Sequence, residues 1–423
     1  MKQVIASLTA LFVFATTGVA QVDISFQNEL QRSIDRGLDS LKKSQQEGGF
    51  WTNEDHPAVT AIVLVAYHGN PNKPKETPEW ITKGHDHLMK FTQPNGSIYV
   101  PGKGLANYNT ALSMMAMLAS GDEKYNPTII KARQFLVRQQ WDLGVKGKTD
   151  HPLDGGVGYG NSYPHGDLNN TLTALEAIYY SRHLVKDTPE AKNDLNWKAA
   201  ISFIQNCQNL SSHNKQPWVS DDPENKGGMI YFPGKSMAGR AKGSESGRTA
   251  LRSYGSISYA GMLSYAYADL AKDDPRVTAV QKWLTDNYTL KENPGMGAQG
   301  LFYYYYLMTK ALTFYGTDNL KLADGKEVDW RKEMGLKLMG LQDQPKHNEA
   351  RVEGQDDSGD LHAMISVSSS SSMSSTPSSV SFAAIRVSSY RISVESTTYR
   401  NDTTQYVFTL SMRLVPALHK ERL

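Results

Sequence analysis

The sequence predicts an all-α fold of the α/α toroid type, in which about six helix hairpins form two concentric rings. Three observations predict it. Glycine-rich turns with a nearby aromatic residue recur along the chain, an amphipathic segment precedes each turn, and a segment that is apolar nearly all round follows it. Because an amphipathic helix lies at a surface and an all-apolar helix is buried, each unit consists of an outer helix, a turn and an inner helix.

Outer helices are predicted at six places. Three of these segments begin at proline, which suits the first helical turn because its amide has no partner inside the helix. Several end close to a glutamine, at Gln45, Gln93, Gln139, Gln208 and Gln342. The six segments are residues 26–43, 78–91, 127–140, 194–208, 275–288 and 330–342.

Inner helices are predicted after five of the turns, in segments rich in Ala, Leu, Met and Tyr. These segments are residues 57–67, 107–119, 168–183, 254–270 and 299–315. Their apolar residues lie on both faces, which favours a closed ring over an open solenoid with a wetter concave face. The sixth hairpin is degenerate, because its outer helix has no clear inner partner.

The first 20 residues have the pattern of a signal peptide. Lys2 is followed by an apolar core over residues 4–14, and Gly18-Val19-Ala20 supplies the small residues of a cleavage site before Gln21. The apolar run is too short to span a bilayer, and no later stretch is long and apolar enough to do so. We therefore expect export to the periplasm or the extracellular space after cleavage near Ala20.

The mature chain divides into a helical domain over residues 21–345 and an atypical tail over residues 346–423. The tail carries the serine run 368–372 and is low in complexity, so it is a poor core former. Two interpretations remain open: a genuine disordered tail, or a last repeat garbled by a disrupted reading frame. In both interpretations, no segment clearly supplies the sixth inner helix. The sequence therefore does not establish full ring closure either.

Composition excludes several classes of partner. Lys and Arg number 45 against 43 Asp and Glu, and no long basic cluster is present, so no nucleic-acid partner is predicted. The single cysteine, Cys207, excludes an intrachain disulfide and a zinc site built from several thiolates. We predict no metal and no other cofactor, and the sequence leaves the oligomeric state open.

Several segments resemble a known family. SLKKSQQEGGFW, MKFTQPNGSIY and FIQNCQNL with its later GGMIYF are similar to the repeat of squalene–hopene and other triterpene cyclases and of protein prenyltransferase β-subunits. LRSYGSISYAGMLSYAYADLAKDDPRV and ENPGMGAQGLFYYYYLMTKAL resemble exported bacterial proteins described as squalene-cyclase-like or prenyltransferase-repeat proteins. The resemblance covers residues 25–342 and implies a toroid with a central cavity for an isoprenoid or another apolar small molecule.

The signatures of the family's chemistry are missing. The acidic pairs Asp221-Asp222, Asp273-Asp274 and Asp356-Asp357 do not form the Asp-x-Asp-Asp motif of the cyclases. Asp-rich motifs that hold magnesium on a diphosphate, and the Asp, Cys and His ligands of the prenyltransferase zinc, are absent too. Whether the protein is an enzyme is therefore left open by the sequence.

Polar and aromatic residues near the glycine turns are the candidate site. His165 and Asp167 could move a proton, and Arg252 could clamp an anion, although the pattern favours a capping role for Asp167 at the helix that follows it. An aromatic pocket with few polar groups is the usual form of a ligand site. The candidate cavity residues are Trp51, His56, Tyr99, Tyr108, Asn109, Tyr159, Tyr163, Asn170, Tyr254, Gln299 and Tyr304.

Three functions fit these observations. The first is an exported terpene-cyclase-like protein that binds, and in an enzyme would transform, an isoprenoid or similarly apolar ligand in the central cavity. The second is a non-catalytic toroid that acts as a binding module or scaffold. The third is a carbohydrate-active toroid, which would require two carboxylates facing each other across a wet cleft.

Overall fold

The computed structural model describes residues 24–160, 163–241 and 250–342, together with short strands at 365–366, 381–387, 390–398 and 404–405. The predicted signal peptide, residues 1–20, lies outside the described residues, as does most of the predicted tail. No helix in the described part of the chain has the length and apolar character needed to cross a membrane.

The described helices account for nearly all of the regular structure before residue 343. In chain order they are α1 (Ile24–Ser44), α2 (Pro57–His68), α3 (Glu79–Met89), α4 (Ala106–Ser120), α5 (Asn126–Val137), α6 (Leu168–Tyr180), α7 (Arg182–Val185), α8 (Trp197–Asn206), α9 (Gly255–Tyr267), α10 (Pro275–Asp286), α11 (Leu301–Phe314) and α12 (Trp330–Gln342). The all-α prediction is confirmed.

Outer and inner helices differ in burial as the sequence predicts. The outer helices are α1, α3, α5, α8, α10 and α12; on α1 the buried residues Ser33, Gly37, Leu38 and Leu41 recur at helical spacing. The inner helices are α2, α4, α6, α9 and α11, and every residue of α9 is buried. The core therefore lies between and within the inner helices.

Each inner helix packs on the next one along the chain, α2 on α4, α4 on α6, α6 on α9 and α9 on α11. The first and last outer helices are also in contact. The side-chain amide of Gln342 on α12 donates to the carbonyl of Ser33 on α1 over 3.1 Å, and Arg36 donates to Gln342 over 2.8 Å. A complete toroid with six inner helices stays a prediction.

Strands are few and short. β1 (Leu320–Lys321) and β2 (Glu327–Val328) form an antiparallel ladder between α11 and α12. Within the predicted tail, β3 (Ile365–Ser366) and β4 (Ser381–Val387) pair antiparallel with β5 (Tyr390–Thr398), which also pairs with β6 (Thr404–Gln405).

The recurring glycine turns are explained by contact with the next outer helix. Gly155 has φ of +90°, and a Cβ at this position would lie 2.0 Å from the carbonyl oxygen of Ala199 on α8. Only glycine fits both the left-handed backbone and the close approach. The same approach, within 2.4 Å of a carbonyl oxygen of the following outer helix, recurs at Gly49, Gly96 and Gly227.

Three glutamines of the repeat, Gln45, Gln140 and Gln208, join a turn to the following outer helix, whereas Gln93 donates to the Phe91 and Tyr99 carbonyls beside its own turn. The Gln45 side-chain amide donates to the carbonyls of Gly49 at 3.2 Å and Trp80 at 2.7 Å. Equivalent pairs of bonds are made by Gln140, to Gly155 and Asn196, and by Gln208, to Gly227 and Arg276. The third repeat therefore uses Gln140, and the emphasis on Gln139 in the sequence was misplaced by one residue.

Candidate functional site

A cavity of about 70 Å³ lies where four inner helices, α2, α4, α6 and α11, come together with the third glycine turn. A single enclosed water occupies roughly 10–15 Å³ by this measure, so the cavity has room for about five waters. Its walls mix aliphatic, aromatic and polar side chains. They are Ile62, Val65, Tyr108, Leu112, Met115, Tyr159, Asn169, Asn170, Leu172, Thr173, Glu176, Tyr303, Tyr306 and Lys310.

An ion pair between Glu176 on α6 and Lys310 on α11 forms part of the cavity wall. The two side chains are only 5% and 10% exposed, respectively. The Tyr267 hydroxyl donates to Glu176 over 3.3 Å, and the Lys310 ammonium also donates to the Tyr306 hydroxyl over 2.8 Å. This network satisfies most of the hydrogen-bonding groups of two charges that would be costly to bury alone.

The protonation state of Lys310 follows from its partner. Burial by itself would lower the pKa of this ammonium, but the Glu176 carboxylate and the Tyr306 hydroxyl raise it above its usual range. Lys310 is therefore charged at neutral pH. It is not the neutral amine that a Schiff-base or general-base role would require.

Asp167 caps the start of α6 close to the other end of the cavity. One of its oxygens accepts a hydrogen bond from the Asn170 backbone amide at 2.9 Å, and the other accepts from the Asn170 side-chain amide at 2.7 Å. The carboxyl is completely buried. Burial raises the pKa of Asp167 to about 7, against the opposing effect of the amides that donate to it.

Asn170 lines the cavity, and its side-chain amide is only partly hydrogen-bonded. Its side chain is 3% exposed, and its amide nitrogen is held by Asp167. Its carbonyl oxygen Oδ1 accepts no hydrogen bond from any described residue. A buried acceptor without a donor is costly, so this oxygen is an incompletely satisfied polar group in a residue of the cavity wall.

A row of aromatic rings leads from the cavity wall along the third turn to Phe232 beside the fourth turn. Ring centroids are 6.0 Å apart for Tyr108 and Tyr159, 5.2 Å for Tyr159 and Tyr163, and 6.2 Å for Tyr163 and His165. His165 stacks on Phe232 at 4.2 Å with an interplanar angle of 24°. All five rings are partly exposed. They form one continuous aromatic row that begins at the cavity wall.

Three of the predicted cavity residues, Tyr108, Tyr159 and Asn170, line the cavity. Tyr163 and His165 do not line the cavity but belong to the aromatic row that begins at its wall. His165 and Asp167, which the sequence predicts as a proton-transfer pair, each have another partner. The His165 ring stacks on Phe232, and the Asp167 carboxylate accepts hydrogen bonds from Asn170. Asp167 therefore fulfils the capping role that the sequence also allowed.

The other predicted residues lie away from the cavity, in structural positions. Arg252 is exposed and donates to the Ala238 carbonyl over 3.3 Å, so it is not an anion clamp within the cavity. Gln299 is exposed, and Tyr99 is half-buried beside the second turn. The remaining four are buried in the helix layers or at helix starts: Trp51, His56, Asn109 and Tyr254.

Tyr304 was predicted to line the cavity but does not, and the reason is the geometry of the helix. Successive residues of a helix are turned by about 100°, so the four consecutive tyrosines cannot share one face. Tyr303 and Tyr306 line the cavity. Tyr304 instead packs between the helix layers, where its hydroxyl donates to the carbonyl of Thr289 over 3.1 Å.

Sequence reasoning missed Glu176 and Lys310. Within α2, α4, α6, α9 and α11, these two residues are the only members of the Asp, Glu, Lys and Arg set. One acid and one base in an otherwise uncharged inner layer is a signal that could have predicted their pairing, because an unpaired charge is seldom buried.

The arrangement limits the chemistry. No group of three or more His, Cys, Asp or Glu within the described ranges is placed to hold a metal ion. Asp167 and Glu176 belong to one helix and are nine residues apart, which corresponds to about 13 Å along its axis. They do not face each other across a cleft at the roughly 5–10 Å separation of glycosidase carboxylates.

Comparisons with known proteins identify no family for this chain. No protein-family model matches the chain, and no curated protein matches it. A crystal structure of a protein from Actinoplanes aligns with 67% of this chain and 75% of its own length, at 13% sequence identity and a TM-score of 0.38. At that level the likeness carries no argument about fold or function.

Proposed function

We propose that this protein is a terpene-cyclase-like helical-repeat protein that binds one small, largely apolar molecule in the cavity between α2, α4, α6 and α11. The observation that carries the proposal is the cavity itself, whose aliphatic and tyrosine walls also include the polar side chains of Asn170, Glu176 and Lys310. Concave sites with apolar walls and a few well-placed polar groups are the usual form of a small-molecule site.

We favour binding over catalysis because the ionisable groups in and beside the cavity are already engaged with other groups of the protein. Glu176 and Lys310 form a closed ion pair, and Asp167 caps a helix. Asp167 is the one group here whose pKa, about 7, suits proton transfer, but it is fully buried behind Asn170. We assign it no chemical step.

The size of the cavity favours a compact ligand. A thirty-carbon triterpene precursor is far larger than a space for about five waters. The small volume is also the observation that favours a second candidate, a non-catalytic scaffold with a nearly filled centre. Export, proposed from residues 1–20, adds to the argument against the ordinary cyclase role, since those substrates are made and held on the cytoplasmic side.

The test is native mass spectrometry of the mature protein purified from its host, followed by solvent extraction of any bound molecule. Two threonine variants make the test specific. Thr173 lines the cavity, whereas Thr309 does not, and both are half-buried residues whose hydroxyls donate to the carbonyl four residues earlier. Thr173→Phe fills the cavity, and Thr309→Phe is its matched control.

We expect the wild-type protein and Thr309→Phe to carry the same small molecule and Thr173→Phe to lack it. A wild-type protein that carries nothing and binds no apolar compound would refute the proposal in favour of the scaffold. Equal occupancy of both variants would show that the ligand lies elsewhere.

A further inference from the structure

The wall of the cavity formed by α6 and α11 carries most of its polar side chains, whereas the wall formed by α2 and α4 is largely apolar. We propose that Asn169, on the polar wall, determines ligand selectivity by donating one hydrogen bond to a neutral acceptor oxygen of an otherwise apolar molecule. This inference rests on the proposed function, and it names the residue that orients the ligand in the same site.

Two polar contacts join α6 to α11 along the polar wall. The Tyr303 hydroxyl donates to Oδ1 of Asn169 over 3.0 Å, and Lys310 pairs with Glu176. The partners are 134 residues apart in both contacts. The two contacts are therefore separated by the same seven residues on each helix, which corresponds to about 10 Å along the axis. They mark out one polar edge of the cavity.

The opposite wall offers little to a polar group. Four of the five side chains that α2 and α4 contribute to it are Ile62, Val65, Leu112 and Met115, and the fifth is Tyr108. A small-molecule site of this kind fixes orientation with a few polar groups and supplies contact area with the rest. We therefore expect a ligand to turn its polar edge towards α6 and α11.

Asn169 has a side-chain donor that the protein does not use. Its Oδ1 is taken by the Tyr303 hydroxyl, and its Nδ2, which carries two N–H groups, has no acceptor among the described residues. The side chain is half-buried and lines the cavity. Nδ2 is not one of the described polar atoms that are sealed from solvent without a partner, so this unbonded donor is accessible.

Two other donors of the polar wall are already engaged. The Lys310 ammonium contacts both carboxylate oxygens of Glu176 and the Tyr306 hydroxyl. The Thr173 hydroxyl donates to the backbone carbonyl of Asn169 over 2.9 Å. The accessible N–H groups of Asn169 call for a carbonyl or ether oxygen on the ligand. A carboxylate is disfavoured, because it would enter as an uncompensated charge beside a closed ion pair.

The test compares two probes of the same shape, cyclopentanone and methylenecyclopentane, which differ only in an exocyclic oxygen or CH₂ group. Room for about five waters corresponds to roughly 150 Å³ of liquid, which suits a five-membered ring. Titration followed by the NMR signals of the Ile62 and Met115 methyl groups measures both affinities at this cavity. We expect cyclopentanone to bind the wild type about three- to ten-fold more tightly, the range that one net hydrogen bond supplies.

Variants identify the donor. Asn169→Leu removes the amide, and Asn169→Leu together with Tyr303→Phe also removes the hydroxyl that would lose its partner. In both proteins the ratio of the two affinities should fall to about one. Asn287→Leu is the control, because Asn287 is also half-buried and donates to the Trp283 carbonyl away from the cavity. It should keep the wild-type ratio.

The outcomes separate the inference from the proposed function. Equal affinities of the wild type for the two probes would overturn the inference and leave an apolar-ligand site intact. A preference for cyclopentanone that persists in the Asn169→Leu proteins would overturn it as well, because the donor would then be another residue. Binding of neither probe overturns the inference, and if no molecule copurifies either, the proposed function fails with it.

Discussion

Glu176 and Lys310 are 134 residues apart in the chain, and their side chains form an ion pair in the wall of the cavity between α2, α4, α6 and α11. The pair joins α6 to α11 across the inner layer. Removing one partner from a buried pair leaves the other charge uncompensated, whereas replacing both with neutral residues of similar size is often tolerated. The pair thus sets the electrostatics of the cavity and provides the first prediction.

Lys310→Met alone is expected to lower the free energy of unfolding by about 3–5 kcal/mol, because Glu176 would remain buried without its counter-ion. The double variant Glu176→Gln, Lys310→Met should recover most of that loss. Urea unfolding checks both. Lys282→Met is the control, since the Lys282–Asp286 pair is 75% and 36% exposed and should matter by less than about 1 kcal/mol. Equal stability of the single and double variants would show that the pair is not buried.

Gly155→Ala should destabilise the protein much more than Gly147→Ala. Both glycines have positive φ, +90° and +81°, so the backbone strain is similar. A Cβ at Gly155 would lie 2.0 Å from the Ala199 carbonyl oxygen, whereas a Cβ at Gly147 would meet nothing within 4 Å. We expect about 1 kcal/mol for Gly147→Ala and at least 2–3 kcal/mol more for Gly155→Ala. Equal losses in thermal unfolding would contradict the proposed contact between turn and helix.

Gln140→Leu and Gln139→Leu compare two adjacent, half-buried residues of one chemical type. Gln140 donates to the carbonyls of Gly155 and Asn196 and accepts from the Asn196 amide at 2.9 Å. Losing these bonds should cost about 1–3 kcal/mol, whereas Gln139→Leu should be nearly neutral. The denaturant midpoints of the two variants measure these losses. A larger loss for Gln139→Leu would contradict the assignment of Gln140 as the residue that joins the third turn to α8.

The buried pair His68 and His85 should make the protein less stable in acid. Their Nε2 atoms are 2.8 Å apart. Burial, with a smaller effect of Lys73, lowers the pKa of His68 to about 4. Burial, together with His68 and Lys124, lowers the pKa of His85 to about 3, against an opposing effect of Asp122. The unfolded chain then binds more protons than the folded one below its ordinary histidine pKa of about 6.5, so stability falls as the pH drops from 6.5 towards 4.

The double variant His68→Gln, His85→Gln keeps two polar side chains at these positions but does not titrate. Its free energy of unfolding should therefore depend less steeply on pH between 6.5 and 4 than that of the wild type. Parallel pH profiles for the two proteins would mean that these histidines are not protected from protonation.

Asp167 should have the opposite effect on the pH dependence of stability, because its contribution decreases as the pH rises. Burial raises its pKa from 3.8 to about 7, so the folded protein holds a proton that the unfolded chain has released, and this contribution to stability is lost as the pH rises through 7. Asp167→Asn retains a residue that caps helices well and removes the titration. We expect the variant to gain stability relative to the wild type between pH 6 and pH 8. A constant difference over that range would count against the raised pKa.

The helices were largely predictable because their signals are local. The predicted outer segment 78–91 contains α3 (Glu79–Met89), and the predicted inner segment 57–67 matches α2 (Pro57–His68), since proline and hydrophobic periodicity mark both. The segment predicted at 168–183 divides after Tyr180 into α6 and α7. At the division, the Ser181 hydroxyl donates to the carbonyls of Ala177 and Ile178.

The site was less predictable because it depends on contacts between distant parts of the chain. Tyr159 and Asn170 were found because they accompany a glycine turn, and turns can be recognised locally. Which of four consecutive tyrosines faces the cavity depends on the rotation of α11, which tertiary packing sets. The pairing of Glu176 with Lys310 depends on the order of helices around the centre, which a local pattern does not contain.

The central claim is that the cavity between α2, α4, α6 and α11 holds a small molecule, and native mass spectrometry of the Thr173→Phe and Thr309→Phe proteins beside the wild type tests it most directly. We expect one bound small molecule on the wild type and on Thr309→Phe, and the bare polypeptide mass for Thr173→Phe. Bare polypeptide masses for all three proteins, with no binding of any probe added in solution, would contradict it.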